Sequence, residues 1–142
     1  MNEIAPLFEF FLNWDTYEEL LNAVYNNVDY SKICLLLIFT PLLLLTTFYK
    51  FWDPVSSSKL KWWVTIFIVS IFSYIGASLI LYNNPEIIQY LGNYTGENGQ
   101  PDAHYFIFQM SMITLGCSLI VAIILSIIPF RLLSTNNRNN PF

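Results

Sequence analysis

The stretch Trp62–Tyr82, WWVTIFIVSIFSYIGASLILY, decides the fold. It contains no Asp, Glu, Lys, Arg or His. Its apolar residues are continuous, not alternating. A helix rises about 1.5 Å per residue, so this stretch matches a hydrocarbon core about 30 Å thick. Ile33–Tyr49 and Tyr105–Phe130 are equally free of charge. Lipid offers no partner to a backbone amide, so only helices and closed barrels cross it. Barrel strands need alternating runs of about ten residues, which these stretches lack. The expected fold is an all-α integral membrane protein with three spans, at about 32–51, 60–82 and 104–130.

Composition agrees. The 142 residues are 55% hydrophobic and 11% charged, against about 25% charged in a soluble domain. There is no internal repeat and no linker long enough to divide the chain. The expected organisation is an amphipathic helical segment over 1–30, a three-helix domain over 31–133, and a disordered tail over 134–142.

The charges are sorted by sign. Of the 6 basic residues, Lys50, Lys59, Lys61, Arg131 and Arg138 flank the ends that share one membrane face. Of the 10 acidic residues, only Asp53 lies there. Lys and Arg in short loops mark the inside face, so the N-terminus is expected outside and the C-terminus inside. Lys32 is the exception, and its stem can snorkel to the headgroups. The acidic start lacks the basic region of a cleavable signal peptide, and no lipidation motif accompanies it.

Within residues 1–30, Leu7, Phe8, Phe11 and Leu12 fall at helical spacing. Thr16 and Glu19 read as a capping box, with Leu20, Leu21, Val24, Tyr25 and Val28 continuing the apolar face. Interfacial helices usually carry a cationic polar face. This one is anionic, so anionic lipid repels it and a protein contact gains weight. Phe8, Phe11 and Trp14 are the candidate partner-binding residues.

Several local signals follow. Thr40-Pro41 should kink the first span. Ser58 is a candidate N-cap for the second, with Trp62, Trp63 and Tyr49 as interfacial belt residues. Asn84-Pro85-Glu86 reads as N-cap, N1 and N2 of a short helix ending near Gly92. Asp102 can cap the third span, which is long enough to need a tilt, a kink near Pro129 or a projection beyond the bilayer. Asn93-Tyr94-Thr95 matches a glycosylation acceptor.

Chemistry is scarce. Proton relays and voltage sensors need ionisable groups inside the membrane, and Ile33–Tyr49, Trp62–Tyr82 and Tyr105–Phe130 contain no Asp, Glu, Lys, Arg or His. Coupled carriers with paired broken helices need more spans. His104, with Asp102 and Glu97, is too thin a donor set for a metal. Cys34 and Cys117 lie in the spans and read as packing residues. No cofactor, metal or nucleic-acid partner is expected, and no nucleophile motif accompanies Ser73 or Ser111. Ser111, Thr114, Ser118, Ala122 and Ser126 fall on one face of the third span, with Ser70, Ser73 and Ala77 on the second. Small residues of this kind let helices approach closely; hydroxyls can also line a pore.

The expected role is a non-catalytic small subunit of a larger envelope assembly of secretion, injection or respiratory type. Its partners are lipid and other membrane subunits or copies of itself. The alternative is a homo-oligomeric pore lined by the third span. Abundant Ile, Asn, Tyr and Phe hint at an AT-rich genome, and a bacterial inner membrane is the expected location.

Overall fold

The computed structural model describes residues 5–52, 58–92 and 102–130. It is all-helical there. Six α-helices follow in order: α1 (Ala5–Glu9), α2 (Trp14–Asn26), α3 (Asp29–Thr47), α4 (Ser58–Tyr82), α5 (Pro85–Tyr90) and α6 (Ala103–Leu125). Three helices are long and apolar enough to cross a membrane, over Asp29–Lys50, Lys59–Tyr82 and Ala103–Ile128. These are the three spans the sequence predicts. The first begins a few residues before its expected start, inside the segment assigned to the N-terminal region.

The spans form a three-helix bundle in which every pair touches. α3 and α6 start, and α4 stops, at one end, where α1, α2 and α5 gather. Acidic side chains dominate that end, and Lys50, Lys59 and Lys61 mark the other. Burial divides between two apolar clusters. One joins α1, α2 and α5 to the acidic end of the bundle through Phe8, Leu20, Leu21, Tyr30, Ile33, Ile87, Phe106 and Met110. The other fills the basic end with Leu45, Phe48, Tyr49, Trp62, Ile66, Val69 and Ala122.

The N-terminal segment is thus an integral cap. α2 touches α3, α5 and α6, and its Tyr17 ring lies 5.4 Å from that of Phe106. Phe8 of α1 lies 5.9 Å from Tyr30. The start of α2 corrects the capping-box expectation. Asn13 is the N-cap, and its side-chain oxygen accepts from the Asp15 amide. Both the Thr16 and Tyr17 amides donate to the Asn13 carbonyl, so the first turn closes before Thr16 can serve. Tyr17 itself departs from helical angles (φ −118°, ψ 17°) as its ring turns in toward α6.

α2 and α3 meet at Val28, whose φ is 59°. A β-branched residue is strained in that left-handed region. Here it lets one chain end α2 and start α3 within two residues. The Val28 amide donates to Tyr25, and its carbonyl accepts from Ser31 and Lys32.

Pro41 lies inside α3 and is buried, and the helix runs through it unbroken. α3 and α6 both end in π-helical turns, Phe48–Trp52 and Ser126–Phe130. The second contains Pro129. Gly76 of α4 is a close-approach point. A β-carbon there would stand 2.8 Å from both methyl groups of Leu36 on α3. The tail 134–142, Asn93-Tyr94-Thr95, Glu97, Asp53, Arg131 and Arg138 lie outside the described residues.

Candidate functional site

Buried polar groups inside an apolar bundle carry the most information, because each must find a partner there. They form three tiers along the axis. The acidic-end tier is built on Asp29, the first residue of α3. Its side chain is fully buried. Lys32, one turn on, donates to Oδ1 at 2.6 Å, and the Asn84 amide donates to Oδ2 at 2.6 Å. Asn27 adds contacts of 3.2 and 3.4 Å. A carboxylate with this many donors is stable where an unpaired one is not.

Asn84 joins the cap to the bundle. Its Nδ2 also donates to the Ala23 carbonyl of α2 at 3.1 Å. Its Oδ1 accepts from the amides of Glu86 and Ile87. The expected N-cap of α5 is therefore present, with Pro85 at N1. The same side chain fastens α2, α3 and α5, and it uses both donors and both acceptor positions.

The middle tier is the small-residue stripe. Ser73 and Ser118 share a hydrogen bond of 2.8 Å, and Ser78 donates to Ser111 at 2.8 Å. Thr114 donates back to the Met110 carbonyl. Ser73, Ala77, Ser111, Thr114, Ser118 and Ala122 are all fully buried. Among the described residues α4 and α6 form the most extensive helix pair, and hydroxyls meet across it.

The basic-end tier centres on Ser126. Its hydroxyl meets the Tyr49 hydroxyl at 2.6 Å and accepts from the Trp62 indole. Each residue comes from a different span. Tyr49 and Trp62 are buried, so both depart from the interfacial belt role expected of them. An indole or phenol can face inward when a hydroxyl waits for its polar end. Trp63, beside Trp62, is half-exposed.

Two buried polar atoms among the described residues lack a hydrogen bond. They are Gln109 Oε1 and the Tyr30 hydroxyl. His104 meets the Tyr82 hydroxyl at 3.1 Å, while Asp102 accepts from the Tyr105 amide and caps α6. Among the described residues no group of three His, Cys, Asp or Glu side chains could hold a metal.

The candidate partner-binding aromatics separate. Phe8 is fully buried in the cap, so its ring is already covered by its own chain and offers nothing to a partner. Phe11 and Trp14 are 62% and 43% exposed, and Phe10, on the same aromatic segment, is 82% exposed. They lie at the corner between α1 and α2. Beside them the cap exposes Asp15, Glu18 and Glu19 on α2 and Glu86 on α5. Burial pushes the Tyr17 phenol up from its usual value, helped by Tyr105 and Asp102. Burial likewise raises Tyr90, with Glu19 and Glu86 adding to it.

Comparison with protein families, with curated proteins and with solved structures finds no match to this chain.

Proposed function

We propose that this chain is a non-catalytic subunit of a larger membrane assembly, and that its acidic cap is the docking end. One observation carries the reading. The cap is fastened to the bundle through Asp29 and Asn84, yet it leaves Phe10, Phe11 and Trp14 exposed beside Asp15, Glu18 and Glu19. A rigid surface of aromatic and like-charged groups favours recognition: the aromatics bury area at low entropic cost, and the charges steer partners. By the distribution of Lys and Arg, this end faces outward, as in a bacterial inner-membrane protein. A secretion, injection or respiratory assembly fits a small anchoring piece of this kind. Catalysis has little to work with, since every buried polar tier is occupied in holding helices together.

The pore reading gains no such support. Ser111, Thr114 and Ser118 face α4 with no exposed surface. A path lined by them needs α4 to leave α6.

The test is a mild-detergent pull-down from the native membrane, with copurifying proteins identified by mass spectrometry. Wild type retains specific partners, and Phe10→Ser/Trp14→Ser with Asp15→Lys/Glu18→Lys loses them while staying helical. Wild type alone in the eluate, or partners retained by the variant, defeats the proposal.

A further inference from the structure

The segment before α3 carries charges that its folding does not use. Glu3, Glu9, Asp15, Glu18 and Glu19 lie there, and no Lys or Arg precedes Lys32. Among the described residues the only ion pair joins Lys32 to Asp29, at 2.6 Å, so Glu9, Asp15, Glu18 and Glu19 meet no Lys or Arg. Asp15 sits in the first turn of α2, where the helix dipole favours it. Glu18 and Glu19 lie past that turn and are exposed. The docked face of α2 is Leu20, Leu21 and Val24, all buried, and it needs none of these acids.

The cap is also made of two parts that reach one face by separate crossings. α1 and α2 precede the first span, and α5 lies between the second and third. They meet at Asn84, which donates to Asp29 and to the Ala23 carbonyl. That clasp closes only after residues 1–28 have crossed. Their transfer therefore precedes the folding of the cap and draws nothing from its stability.

We infer that the membrane potential, negative inside, drives this transfer by acting on the acids of residues 1–28. The inference rests on the outward orientation proposed above. These carboxylates are ionised at neutral pH. Each one moving outward travels down the potential, whereas a Lys or Arg would travel against it. Asp29 and Lys32 together add no net charge. Lys and Arg at the other end fix the final orientation, and the acids set how fast the segment crosses.

The full chain with Cys34→Ala, Cys117→Ala and the reporter Asn22→Cys, exposed on α2, tests this. It is pulse-synthesised in bacterial cells and labelled with a membrane-impermeant maleimide, with and without a protonophore. The label reads which side position 22 occupies, so it needs no folded cap. The protonophore lowers initial labelling at least fivefold. With Glu3→Gln, Glu9→Gln, Asp15→Asn, Glu18→Gln and Glu19→Gln added, labelling slows at least threefold and changes less than twofold with protonophore. In the same cells, this variant controls for indirect effects of losing the potential. Parent labelling unchanged by protonophore overturns the inference and leaves the orientation standing, and a neutral variant as sensitive as its parent overturns it too. A parent labelled only after permeabilisation, with the potential intact, overturns the outward orientation and the inference with it.

Discussion

The Asp29 carboxylate lies 2.6 Å from the side-chain amide of Asn84, fifty-five positions later in the chain. That contact joins the first residue of α3 to the residue that caps α5, and through the Ala23 carbonyl to α2. Asp29→Ala strands the Asn84 amide and releases Lys32. Lys32 is 50% exposed and can turn to water, so its own loss counts for little. The expected cost of Asp29→Ala is about 3 kcal/mol, of Asn84→Ala about 2–3 kcal/mol, and of Lys32→Ala under about 1 kcal/mol. The Asp29–Asn84 pair should be coupled by roughly 1 kcal/mol in a double-mutant cycle. Unfolding in mixed micelles reads this, and additive effects would show that the two side chains act separately.

Val28 gives a prediction of the opposite sign. Its φ of 59° is costly for a β-branched residue, and its side chain is 47% exposed, so little packing rests on it. Relieving the strain returns about 1–3 kcal/mol, against about 0.5–1 kcal/mol for the entropy of glycine. Val28→Gly and Val28→Asn should each stabilise the protein by roughly 0.5–1 kcal/mol. A loss of stability in both would mean that Val28 contributes contacts outweighing its backbone strain.

The spans and the Asn84 and Asp102 caps were legible in the sequence because they depend on local signals: uninterrupted apolar length, and a cap residue next to its helix. The tiers were not. Ser111, Thr114, Ser118 and Ser126 stand out as a stripe, but nothing local says that Ser126 meets Tyr49 and Trp62 from two other spans. Aromatic residues near a span end look like belt residues until a hydroxyl is placed opposite them. Phe8 and Phe11 illustrate the same limit. Helical spacing puts both on one apolar face, and only the docking of α1 decides that Phe8 is covered while Phe11 stays exposed. In the sequence Asp29 is one of the acids of a single membrane face, with no local mark of burial. Its burial follows from Asn84, far along the chain.

The hydroxyl tiers separate two kinds of loss. Ser126→Ala removes the shared partner of a buried phenol and a buried indole, so two polar groups lose a contact together. Ser73→Ala leaves only Ser118 unpaired. Interhelical hydrogen bonds in membranes average about 0.6 kcal/mol and reach about 1.7. Ser126→Ala should therefore cost about 2 kcal/mol and Ser73→Ala about 0.5–1. The double variant Ser73→Ala/Ser118→Ala should fall close to Ser73→Ala, because matched apolar groups leave nothing unsatisfied. Micelle unfolding of the four proteins checks the order, and equal costs for Ser126→Ala and Ser73→Ala would refute the three-way contact.

The cap also carries a pH signature. Burial raises the Tyr17 phenol from its ordinary value of 10.0, and Tyr105 and Asp102 add to the shift. Tyr90 is raised in the same sense, by burial and then by Glu19 and Glu86. A folded-state value above the unfolded one means that the folded protein holds its proton longer. The associated stability is fully present below about pH 10 and is lost as pH rises through the folded values. Wild type should lose stability above pH 10, first in the cap, where amide exchange in α2 and α5 accelerates before that in α4. Tyr17→Phe cannot ionise, so it should flatten the slope of stability against pH above about 10 while costing little at neutral pH. Tyr17→Phe/Tyr90→Phe should flatten it further. A slope unchanged by both substitutions would place the alkaline transition in other tyrosines and separate it from the cap.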